Sequence, residues 1–120
     1  MSGVTTAADE LEAAVGRVEG LRLYRDPAGA VASPPAVMVG PPRLTWESVC
    51  SEPTEATFVV YVLAAMNERA VAQLWELVPA VAAAIDEHVR AASVIEANPG
   101  VFNAGGRELP SYEITVEVAL

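Results

Sequence analysis

The stretch Ala56–Met66, ATFVVYVLAAM, constrains this chain more than any other segment. It is rich in β-branched and aromatic residues, the composition of a strand, and a strand turns successive side chains to opposite faces. Thr57, Val59, Tyr61 and Leu63 therefore share one side, and Phe58, Val60, Val62 and Ala64 share the other. Both sides are apolar. Either the strand lies at the centre of a tight core, or one of its faces meets another chain.

The segments around it supply the other layers. Thr6 followed by Asp9 resembles a capping box, and Leu11, Val15 and Val18 recur at helical spacing until Gly20, which predicts a first helix with a narrow apolar stripe. LRLY reads as a short extended piece, and DPAGAVASPP as a loop broken by prolines and a glycine. AVMVG is a candidate strand stopped by Pro41 and Pro42, RLTWESV a second, and CSEPTE an exposed polar tip. Asn67 can cap a second helix, in which Val71, Leu74, Trp75, Val78, Val81, Ala82 and Ile85 keep the i, i+3, i+4, i+7 rule. Pro79 inside it predicts a kink or short break. ASVIEA reads as another short strand, Asn98 to Leu109 as a glycine-bearing loop, and SYEITVEVAL as a strand with one buried and one wet acidic face. The expectation is an α+β fold in a single domain, residues 1–120: one mostly antiparallel or mixed sheet of four to five strands, with two helices packed on one face.

Composition narrows the function. A chain of 120 residues holds one modest core. It has no apolar run long enough to span a membrane and no signal-peptide pattern in its first ten residues, so it reads as intracellular when made. A lone cysteine, Cys50, suits a reducing compartment. The net charge of −9 comes from sixteen acids against seven bases, all arginine. Gripping nucleic acid by its phosphates needs a basic face that this balance does not supply. Acidity fits solubility, or a surface past which DNA slides.

Catalytic patterns are equally sparse. Gly100 and Gly105 have P-loop spacing, but Gly106, Arg107 and Glu108 follow where a lysine and a hydroxyl are required, and the next element is a strand. His88, near the end of the second helix, lacks an orienting acid and a nucleophile, so an exposed or capping role is expected. A Cys50–His88 thiolate pair has no helix N-terminus to activate it. No metal-ligand spacing occurs. Trp75 is expected in the core, Trp46 in packing or a contact surface, and Glu113 and Glu117 on a solvated strand face. The reading is a non-enzymatic part, without cofactor, that binds copies of itself or other proteins. Val101 and Phe102, flanked by glycines, either carry a subunit contact or fold back as a lid on their own core.

GLRLYRDP, PPAVMVGPPRLTW, the run ATFVVYVLAAMNERAVAQLWELVPAVAAAID and the closing NPGVFNAGGRELPSYEITVEVAL together resemble the tail terminator proteins of long-tailed phages infecting actinobacteria. The resemblance covers about Leu11 to Leu120 and lies in the order and wording of segments. It implies an α+β subunit of a six-membered ring that caps the tail tube, stops its polymerisation and meets the head-side connector, with DNA passing through the lumen. Its partners would be itself, the tail tube protein and the connector, and no membrane. Its place would be the neck of the virion, and the host cytoplasm during assembly. The family brings no catalytic or ligand residue with it. Trp46, Val101, Phe102, Asn103 and Arg107 are the candidate subunit or tube contacts. Head-closure and tail-completion proteins are built alike, and a cytoplasmic module holding a small apolar ligand would share the composition.

Overall fold

A computed structural model describes residues 3–49 and 51–120; Cys50, and with it the thiolate pair considered above, lies outside the described residues. The strand expected over Ala56–Met66 is β4, Glu55–Leu63, and it is central. Six strands form one mixed sheet in the order β1 (Arg22–Leu23), β2 (Ala36–Val39), β4, β6 (Arg107–Ala119) and β5 (Ala92–Ala104), with β3 (Arg43–Thr45) also paired to β4. Among the described residues only the β1–β2 pair is parallel. β2 and β3 follow one another along β4, with Val39 opposite Val60 and Arg43 opposite Thr57. Pro41 and Pro42 lie between them and have no N–H to give the ladder.

One sheet face carries the core. Phe58, Val60, Val62, Ile114, Val116 and Val118 are buried beneath α1 (Gly3–Val15) and α3 (Ala70–His88), which contribute Leu11, Val15, Leu74, Val81 and Ile85. Each large side chain so buried stabilises the fold by about 1.5–3 kcal/mol. This is the single-sheet α+β architecture the periodicity calls for. It has one strand more than the upper expectation and a third helix.

That helix, α2 (Pro27–Ala32), replaces the expected loop. Its breakers mark its ends: Asp26 caps it by accepting the Gly29 N–H, Pro27 occupies the first turn, and Pro34 and Pro35 lie beyond the terminal Ser33. It packs on the opposite sheet face from the other two helices, setting Ala30 and Val31 against Ala36, Leu63 and Leu109. The second apolar side of β4 is therefore covered at its Leu63 end by the chain itself, while Thr57, Val59 and Tyr61 remain half-buried.

Other local expectations change too. α1 already runs from Gly3, so Thr6 and Asp9 lie inside the helix and do not start it. The Asn67 side chain accepts the Arg69 N–H at 2.8 Å, just ahead of α3, and its backbone carbonyl takes the Ala70 N–H of the helix. α3 continues unbroken through Pro79, which lies on its exposed side. Val71 and Trp75 belong to that exposed side as well, because the apolar stripe is wider than the sheet it covers. No helix among the described residues is long and apolar enough to cross a membrane.

Candidate assembly surfaces

The largest departure from the sequence reading falls at Asn98–Leu109. This segment is the end of β5, a turn, and the start of β6. Gly105 and Gly106, at φ +59° and +77°, form the two-residue turn that returns the chain from Ala104 to Arg107. Positive φ at both positions is the backbone of a type I′ hairpin, which strongly favours glycine. The missed signal was the Gly-Gly pair between apolar stretches.

β4 stops short of this turn. Its last pair is Leu63 with Ser111, and the Ala64 N–H then donates to the Pro110 carbonyl. Beyond that row the β5–β6 hairpin runs on as a two-stranded arm through four further pairs, from Val101–Pro110 to Ala104–Arg107. At about 3.3 Å per residue this adds roughly 13 Å of ribbon. One face of the arm is covered. Phe102, Ala104 and Leu109 join the α2 cluster, and Phe102 meets Tyr61 edge to face at 5.3 Å.

The other face is bare. Val101 is 67% exposed there, and Trp75, at the N-terminal end of α3, is 63% exposed while its indole N–H donates to the Tyr112 hydroxyl at 2.9 Å. Tyr112 pairs with Pro99, one step along the same face from Val101 and Pro110. Met66 and Val71 are exposed nearby in the chain. Met66–Trp75 and Pro99–Pro110 carry two acids and two arginines, Glu68, Arg69, Arg107 and Glu108, and are neutral in a chain of charge −9.

The structure divides the five candidate contacts. Val101, Asn103 and Arg107 are exposed on the arm, and Phe102 packs back against its own core, one of the two readings that the glycine-flanked segment left open. Trp46, 52% exposed, follows β3 beside the start of β4 and so stands at the opposite end of the sheet from the arm, in a molecule 51 Å long. Val49 and Leu120 are also exposed apolar residues, and both line one depression at that end.

The remaining polar groups are dispersed. Among the described residues no three His, Cys, Asp or Glu side chains gather as a metal site. His88 is exposed at the end of α3. The described depressions are open at the surface; one runs beside β1 and is lined by Gly20, Leu21, Arg22, Ser33, Pro34 and Pro35. Close by, Ser33 and then Arg22 hydrogen-bond the Tyr24 hydroxyl and hold its pKa below the usual phenol range. Arg25 forms a two-point ion pair with Glu12, at 2.9 and 3.1 Å. The sequence matches no protein-family model and no curated protein.

Proposed function

We propose that this chain is a structural, non-enzymatic ring subunit of a phage neck, of the tail-terminator kind, which caps the tail tube and joins it to the head-side connector. The observation that carries the reading is the arm: a ribbon whose inner face packs on the α2 cluster and whose outer face leaves Val101 in water, with Trp75 exposed on α3. Exposed apolar surface of this kind marks a contact with another macromolecule. Exposed apolar residues also stand at the far end, around Trp46, so each subunit offers two different surfaces. A closed ring set between tube and connector needs a surface for each, besides the edges by which its subunits meet.

The acidic balance supports the same reading, since a lumen that passes DNA must not hold it. The competing ligand-binding module calls for an enclosed apolar pocket with convergent polar groups, and the described depressions are open grooves. Head-closure and tail-completion roles use the same kind of surface and differ in what they dock to. A capping assay tests the proposal: added during polymerisation of purified tail-tube protein, the chain should shorten the tubes and appear as density at one end in negative-stain micrographs. Tubes of unchanged length with bare ends would refute a terminator role.

A further inference from the structure

The two edges of the sheet differ in a way that says how copies would meet. Among the described residues β5 pairs with β6 alone, which leaves its outer edge without a strand along its 13 residues. Natural edge strands are blunted by bulges, prolines and charges. Here those devices occupy one half: a bulge at Ile95 between Val94 and Glu96, the charge of Glu96, and Pro99. Gly100 to Ala104 carries none of them. A two-residue turn makes Ala104–Arg107 a hydrogen-bonded pair, and alternation then turns the Phe102 and Gly100 backbone groups toward β6. Val101 and Asn103 are left presenting both N–H and C=O outward.

The opposite edge is β1, with the open groove of Leu21, Arg22 and Pro34 beside it. Arg22 is exposed at that edge, while Arg25 beside it is paired with Glu12. A single row crosses the whole sheet: Arg22 opposite Ala36, Ala36 opposite Leu63, Leu63 opposite Ser111, Ser111 opposite Gly100. Arg22 thus ends the row at one edge and Gly100 ends it at the other. Gly100 has no side chain, and the Glu113 carboxylate lies over it, with Oε2 3.2 Å from where a Cβ would stand. Arg22 stands at one end of the row, and the Glu113 carboxylate, from β6 and the neighbouring row of the same face, reaches over the other end. β5 runs antiparallel to β1, so a copy rotated about an axis along the strands presents β1 to β5 in antiparallel pairing.

We infer that the arm edge of one copy, at Val101 and Asn103, adds to the β1 edge of a second copy, with Arg22 of that copy meeting the Glu113 carboxylate over Gly100. This deepens the ring reading and rests on it. The sheet continues from subunit to subunit, head to tail.

Sedimentation of the full chain, alone and with tail-tube protein, tests the contact using Arg22→Glu, Glu113→Arg and the double exchange. Both sites are exposed, and circular dichroism checks each fold. Each single reversal should weaken association about tenfold, equivalent to about 1.4 kcal/mol, and the double exchange should restore it. Val101→Lys, which puts a charge beside the outward-facing backbone groups of the edge, should weaken it further. If the chain assembles and the single variants assemble like wild type, or the double exchange fails to rescue, the edge contact is wrong and the ring reading survives. A chain that is monomeric throughout and leaves tubes uncapped overturns both.

Discussion

The body of the sheet and its hairpin arm are built from the same strands yet solve opposite problems. In the body, β4 and β6 lie beneath α1 and α3, and Phe58, Val60, Ile114 and Val116 are wholly buried. Past the Leu63–Ser111 row, β6 continues with β5 as its only strand neighbour, and a six-residue helix covers one face. The body is finished within the subunit, whereas the arm is half-finished. On the proposed reading, function lies where the fold stops burying its own apolar side chains.

Substitutions can break or sharpen this contrast. Phe58→Ala, in the body, should cost about 3–5 kcal/mol in a denaturant titration; a loss of under 1 kcal/mol would mean the body is not the stability core. Leu109→Ala, in the α2 cluster, should cost about 2 kcal/mol, the low end for a buried leucine, because the site borders solvent. An equal loss at both positions would erase the distinction between arm and body. Gly106→Val forces a β-branched residue to φ +77°, at about 1–2 kcal/mol. Hydrogen exchange should then accelerate at Phe102 and Ala104 while the β4 amides stay protected. Trp75→Phe removes the bond to Tyr112 but little burial, so melting should report less than about 1 kcal/mol. Val101→Ser should leave monomer stability within about 0.5 kcal/mol and still reduce association. A large drop in melting temperature would show that Val101 packs inside its own subunit.

Much of the body was legible in advance. ATFVVYVL carries strand propensity on both faces, and SYEITVEVAL alternates cleanly, so the central and terminal strands follow from pattern alone. The third helix was obscured because Pro27, Pro34 and Pro35 read as interruptions, although a proline in the first turn and prolines past the end are compatible with a helix between them. The arm was obscured by Gly100, Gly105 and Gly106: three glycines suggested a loop, while only the adjacent pair makes a turn. Trp75 and Val71 fit the helical period, but periodicity shows which face is apolar and leaves open how far the neighbouring layer extends. Phe102 and Val101 could not be separated by composition. Strand alternation, read from the correct turn, places one against Tyr61 and the other in water.

The central claim is that the arm's uncovered face is completed by another copy or by the tube. Native mass spectrometry over a range of concentrations, with and without tail-tube protein, addresses it most directly. A closed oligomer of the chain, formed alone or on meeting the tube, and reduced by Val101→Lys, is the predicted result. A single mass of 12.6 kDa under every condition would contradict it.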